Sequence, residues 1–156
     1  MRKLKQLSLS ILAFTYIILL TNCGDNSDVE AAPLEGTIGG EAWTYKYAKA
    51  FYNEIDDLYD AELYGTQQTE ADPCSIFISG EAHISMQVPN STGNFQVPAD
   101  IQVLFDQPGT DNAFFRATGG FIEINTAAGG QIVGFVQAMF DDDNTVEGTF
   151  SFSRCN

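Results

Sequence analysis

The feature that most constrains the fold is the alternation of apolar and polar residues in short runs. Between residues 76 and 88 one parity is apolar and the other polar, with Phe77 as the exception. The apolar parity holds Ile76, Ile78, Gly80, Ala82, Ile84, Met86 and Val88. Successive side chains of a strand point to opposite faces, so this run predicts a strand with one buried face. It is longer than a typical strand, and we expect Gly80 to mark a bend or bulge.

Three further alternating runs occupy residues 113–153, which predicts a three-strand antiparallel meander. The glycine-containing segment 126–130 joins the first two runs, and a polar hairpin turn at 141–144 joins the last two. The middle run also carries Val133, Phe135 and Met139 on its second parity, which predicts a strand covered on both faces.

The segment around Trp43, Tyr45, Tyr47 and Phe51 also alternates and predicts a strand. The spacing from Phe51 to Tyr59 fits a short helix as well, but we favour a turn through residues 53–57 and a strand returning to residue 64. Another strand is expected over residues 101–105. The chain therefore predicts an all-β domain, an antiparallel sandwich or partly closed barrel of about seven to nine strands.

The N-terminus has the layout of a secretory signal peptide. Arg2, Lys3 and Lys5 precede an apolar run over residues 7–20, which is shorter than the roughly 20 residues that a membrane-spanning helix needs. The run ends in Leu-Thr-Asn-Cys, which resembles the lipobox of bacterial lipoproteins although Asn22 is unusual there. The resemblance implies cleavage after Asn22 and lipidation of Cys23, and several acyl chains on one residue anchor a protein firmly.

Three regions follow from this reading: a signal peptide over 1–22, a lipidated acidic tether over 23–34, and a β-domain over 35–156. An acidic stretch after the lipidated cysteine resembles the surface-export signal of Bacteroidota lipoproteins. The alternative is a solvated linker with no role in sorting. We expect an outer-membrane protein that is anchored by lipid and faces outward.

Net charge excludes nucleic acid as a partner. All 21 acidic residues, but only four basic residues, lie after Cys23, so the mature chain carries a net charge of about −17. Such a surface repels nucleic acid and anionic membrane faces.

Cysteine usage predicts one disulfide. Lipid on Cys23 leaves Cys74 and Cys155 as an even pair in an oxidising compartment. The alternative is a pair of separate reduced thiols.

The exported part lacks a recognisable catalytic set, so we expect a protein that is not an enzyme and needs no cofactor. His83 is the only histidine and lies on a polar parity, where an exposed, inert side chain is expected. The remaining option is a hydrolase that uses two carboxylates, which so acidic a chain would offer by chance.

Two weaker site predictions use the acids and the aromatic residues. Asp141, Asp143 and Glu147 are close enough in sequence to bind Ca²⁺, although adjacent acids in a turn more often form a solvated hairpin tip. Trp43, Tyr45 and Tyr47 could build a platform for a glycan or peptide, or could instead fill the core.

Several glycine and aromatic motifs occur in a fixed order along the chain. They are Gly36-Thr37-Ile38-Gly39-Gly40 before Trp43, Asp72-Pro73-Cys74, Val88-Pro89 with Gly93-Asn94-Phe95, residues 130–135, and Glu147-Gly148-Thr149-Phe150. In this order the chain resembles small β-rich lipoproteins of Bacteroidota. The resemblance implies an envelope lipoprotein with a sandwich-like domain and implies no activity. We expect a binding or accessory module for an envelope glycan, peptide or protein, or alternatively a structural or stress-related envelope component without a ligand.

Overall fold

The computed structural model describes residues 32–66, 74, 80–107, 109 and 114–155. The predicted signal peptide, Cys23, most of the tether, and Ile76 and Ile78 lie outside these residues. No helical segment in the described part is long and apolar enough to cross a membrane.

The described residues form an all-β sandwich of two antiparallel sheets, which confirms the predicted class. Its strands in chain order are β1 Glu35–Ile38, β2 Glu41–Thr44, β3 Tyr47–Asn53, β4 Leu58–Tyr64, β5 His83–Pro89, β6 Gly93–Val97, β7 Val103–Asp106, β8 Phe114–Arg116, β9 Gly119–Ala128, β10 Gln131–Asp141 and β11 Asn144–Ser153. One sheet has the order β2-β1-β11-β10-β9-β6, and the other has the order β3-β4-β5-β7-β8. Eleven strands are described rather than seven to nine, because strands of three to five residues carry too little alternation to stand out.

Alternation predicted the longer strands well. Ile84, Met86 and Val88 of β5 are buried, as their parity requires. Gly80 has a φ of 80° and lies in a bend before β5. The turn over residues 54–57 and the returning strand β4 also form, in place of the short helix.

The C-terminal meander is present as β9, β10 and β11. It begins at Gly119 rather than at residue 113, because β8 pairs with β7 in the other sheet. The amide of Ala117 donates to Val103 and that of Thr118 donates to Met139, so these two residues carry the chain between the sheets. The prediction that β10 is covered on both faces is wrong at Met139, whose side chain is 49% exposed.

The core lies between the sheets and is built from the inward parity of both. Leu34, which we assigned to the tether, is fully buried in this core, and its amide donates to the carbonyl of Thr149. The folded domain therefore starts before residue 35.

Cys74 and Cys155 form the predicted disulfide, with their Cα atoms 5.5 Å apart and a sequence separation of 81. The amide of Cys155 donates to the carbonyl of Ala50 in β3. The bond therefore fastens the segment that holds Cys74 to the end of the chain, beside an edge strand.

Candidate functional site: the outer face of the five-stranded sheet

The outward parity of the five-stranded sheet arranges its side chains in cross-strand rows. These rows follow from the pairing of β3 with β4, β4 with β5, β5 with β7, and β7 with β8. The first row is Tyr47, Tyr64, His83, Asp106 and Phe114; the second is Lys49, Glu62, Ser85, Leu104 and Arg116; the third is Phe51, Asp60 and Gln87. Directly opposed residues of this kind are close enough to interact.

The first row is a stack of rings. The ring of Tyr64 lies between those of Tyr47 and His83, with centroids 5.1 Å and 5.0 Å away. His83 Nε2 lies 3.4 Å from a carboxylate oxygen of Asp106, and Nδ1 lies 3.0 Å from the carbonyl oxygen of Glu81. The prediction of an exposed histidine is wrong, because the His83 side chain is only 14% exposed.

These contacts bear on whether His83 could act in catalysis. A general base needs an unprotonated ring nitrogen directed at the proton that it removes. Each nitrogen of His83 instead lies beside an oxygen atom of the protein, Nε2 beside the Asp106 carboxylate and Nδ1 beside the carbonyl of Glu81. Within the described part of the chain, the ring therefore contacts Tyr64, Asp106 and the carbonyl of Glu81.

The second row holds a buried cation. Lys49 is 7% exposed, its Nζ lies 3.1 Å from a Glu62 carboxylate oxygen, and the same Nζ lies 5.3 Å from the centre of the Tyr64 ring. The Tyr64 hydroxyl donates to Glu62 at 2.6 Å. Burial alone would raise the pKa of Glu62, but the hydrogen bonds from Tyr64 and Lys49 outweigh it and lower that pKa. Burial and the bond to Glu62 raise the pKa of Tyr64.

A groove of about 290 Å³ lies over the short side chain of Ser85. Its lining includes Phe51, Asp60, Glu62, Ser85, Gln87, Gln102 and Leu104, and we call it the Phe51 groove. Phe51 is 47% exposed and stands on the edge strand β3. The Gln87 side chain donates to Asp60 at 3.2 Å, and the Gln87 amide donates to the carbonyl of Gln102 at 3.3 Å. The groove therefore combines one accessible aromatic ring with polar side chains held on paired strands.

The predicted aromatic platform does not form as one surface. Trp43 is buried in the core, and its indole donates to the carbonyl of Ala82 at 3.1 Å. Tyr45 donates to the carbonyl of Ser151, and burial raises its pKa to about 12. Tyr45 and Tyr47 both line a shallow groove of about 370 Å³ beside Cys74. Trp43 is separated from Tyr45 and Tyr47 because the chain crosses from one sheet to the other between β2 and β3.

The predicted calcium ligands also lie in two places. Asp141 and Asp143 share the hairpin turn, where Asp141 accepts from the Asp143 amide at 3.2 Å and from the Asn144 side chain at 2.9 Å. Glu147 lies further along β11, opposite Gln137, whose side chain donates to it at 3.1 Å. Among the described residues, no three His, Cys, Asp or Glu side chains are grouped so as to hold a metal ion.

A larger groove, of about 660 Å³, lies on the outer face of the six-stranded sheet. Glu35, Glu147, Gln137 and Met139 contribute to its lining, and Glu35 is directly opposite Glu147 across β1 and β11. Phe135, also in the lining, stacks on Phe121 at 5.7 Å between ring centroids. Its aromatic ring is therefore partly covered by a neighbour, unlike that of Phe51.

Sequence reasoning missed Phe51, Asp60, Gln87 and Gln102 as site residues. Asp60, Gln87 and Gln102 gave only the signal of a polar parity on predicted strands, which cannot tell a groove from a solvated surface. Phe51 shares the parity of Trp43, Tyr45 and Tyr47, which favoured the core, but the structure exposes it. Comparison of the chain with protein-family models, curated proteins and solved structures gave no match in any of the three. The residues of the site itself therefore carry the functional argument.

Proposed function

We propose that this protein is an envelope protein, anchored by lipid at Cys23 and facing outward, whose β-sandwich is a non-catalytic binding module. The observation that carries the binding role is the Phe51 groove, where an accessible ring adjoins polar side chains fixed by strand pairing. Binding sites combine apolar surface with a few well-placed polar groups in this way.

The anchoring part of the proposal rests on the N-terminal sequence. We expect the mature chain to incorporate labelled palmitate and to fractionate with outer membranes, and we expect Cys23→Ser to do neither. Protease added to intact cells should degrade the wild-type domain. Protection from protease until the outer membrane is broken would contradict outward display.

The binding part is tested by sedimentation of the purified mature chain with isolated cell-wall polysaccharide and with outer-membrane vesicles. We expect the wild type to co-sediment with one of these materials and Phe51→Ala to stay largely in the supernatant. Phe114→Ala is the matched control, because Phe114 is 58% exposed on the opposite edge strand of the same sheet. Equal sedimentation of all three proteins would contradict a role for the groove.

A further inference from the structure

We infer that the ligand of the Phe51 groove is an uncharged carbohydrate, an inference that rests on the binding role proposed above. A sugar offers hydroxyl groups that both donate and accept hydrogen bonds, together with a face of C–H groups that packs on an aromatic ring. The groove offers the matching set of groups, in one place and on one rigid sheet.

The polar groups of the groove are mixed in kind. Asp60 and Glu62 contribute carboxylate acceptors, Gln87 and Gln102 carry amides that can donate and accept, and Ser85 has a hydroxyl that can do both. A ligand that presents only donors or only acceptors would leave part of this set unpaired. Alternating hydroxyl groups can pair with all of it.

The charges of the groove already have partners within the protein. Glu62 is paired with Lys49 at 3.1 Å and accepts from Tyr64 at 2.6 Å, while Asp60 accepts from Gln87 at 3.2 Å. A cationic ligand would have to displace or approach the buried Lys49 charge, and an anionic ligand would meet both carboxylates. An uncharged ligand uses the remaining acceptor positions and avoids both costs.

Phe51 supplies the apolar surface. Its ring is 47% exposed at the wall of the groove, and Leu104 lies on the far side in the second row. The groups around the ring stand on β3, β4, β5 and beside β7, so little ordering is needed when a ligand binds.

The test is affinity electrophoresis and calorimetry of the mature chain with purified neutral glucans, xylans and mannans, one anionic polysaccharide, and a lysine-rich peptide. We expect one neutral polysaccharide to bind the wild type and Phe114→Ala equally. Phe51→Ala and Gln87→Ala should lose affinity by about tenfold or more. Because the ligand is uncharged, its affinity should change by less than about twofold when salt is raised to 0.5 M.

Other results would overturn the inference, and they separate it from the binding role itself. One such result is that the lysine-rich peptide binds in a salt-sensitive way and that Phe51→Ala abolishes this binding. It would show that the groove binds a cationic ligand and not a carbohydrate. Polysaccharide binding that Phe51→Ala and Gln87→Ala leave unchanged would overturn the site. If no probe binds in a way that depends on Phe51, both the ligand class and the proposed function are overturned. Thermal melts of the two variants establish that each is folded before binding is measured.

Discussion

At the scale of single residues, the tyrosines of the aromatic segment have different roles although the sequence presents them alike. Tyr52 donates to Asp57 at 2.5 Å at the surface, Tyr45 donates to the carbonyl of Ser151 in β11, and Tyr64 is buried between two rings. Burial favours the neutral phenol over the charged phenolate. Such differences depend on the neighbours of each ring, which the spacing of tyrosines along the chain cannot reveal.

Tyr45 makes the free energy of unfolding decrease as pH rises in the alkaline range. Burial raises its pKa from 10.0 to about 12, so its contribution is complete below pH 10 and is lost as pH rises through the folded value. We expect Tyr45→Phe to lower the free energy of unfolding by about 1 kcal/mol at neutral pH, because the variant lacks the hydrogen bond to Ser151. Between pH 10 and 12, the free energy of unfolding of Tyr45→Phe should fall less steeply than that of the wild type. Urea unfolding followed by fluorescence of Trp43, the only tryptophan, measures this, and parallel pH curves would contradict it.

Glu62 makes the free energy of unfolding decrease as pH falls in the acidic range. Its pKa is lowered below 4.5, so its contribution is complete above pH 4.5 and is lost as pH falls through the folded value. We expect Glu62→Gln to destabilise the protein by about 1–2 kcal/mol at neutral pH, since it weakens the bond to the buried Lys49. The difference in free energy of unfolding between Glu62→Gln and the wild type should become smaller as pH falls below 4.5. Asp56→Asn, at an exposed turn, is the control that should change little.

At the scale of strands, the single strand expected from Trp43 to Phe51 is wrong, because these residues divide between β2 and β3, which lie in different sheets. Alternation and turn residues did predict the turn after β3, the returning strand β4, then β5, and the order of β9 to β11. These elements are long enough for parity to be read, and one face of each is buried. Sheet membership was harder to predict, because β2 and β3, or β8 and β9, follow closely in sequence and yet belong to different sheets. Only two residues join the strands at each crossing between sheets, and their sequence does not mark the change of sheet.

The pairing of β1 with β11 places Glu35 directly opposite Glu147. Like charges in this position destabilise a sheet. We expect Glu147→Gln to stabilise the domain by about 0.2–1 kcal/mol, and the gain should shrink when salt screens the repulsion. Glu123→Gln is the matched control, because Glu123 is exposed on the same sheet opposite Phe135 and Asn94. A loss of stability in Glu147→Gln would show that the register is not as described.

At the scale of the whole molecule, the candidate site is a product of the fold. The groups that line the Phe51 groove come from four separate parts of the chain, and the bonded pair Asp60 and Gln87 is 27 residues apart. Composition and parity could predict that Asp60, Gln87 and Gln102 face outward, but not that Phe51 does. Their assembly into one groove follows from strand register and from the short Ser85 side chain between longer neighbours, and neither can be read from a single run.

The disulfide acts at the same scale, because it joins two cysteines with a sequence separation of 81. By the chain-entropy argument such a closure stabilises the folded state by about 4 kcal/mol. We expect reduction, or the double variant C74A/C155A, to lower the free energy of unfolding by up to this amount in urea. A change of less than about 1 kcal/mol would contradict the chain-entropy account for this protein.

The most direct test of the central claim is a methyl NMR titration of the mature chain with the envelope material that sediments with it. Leu104 reports on the Phe51 groove, and Met139 reports on the larger groove of the other sheet. We predict that the Leu104 methyl resonances shift on binding while that of Met139 stays in place. A shift of Met139 alone, or of neither residue, would contradict a ligand-binding face on the five-stranded sheet.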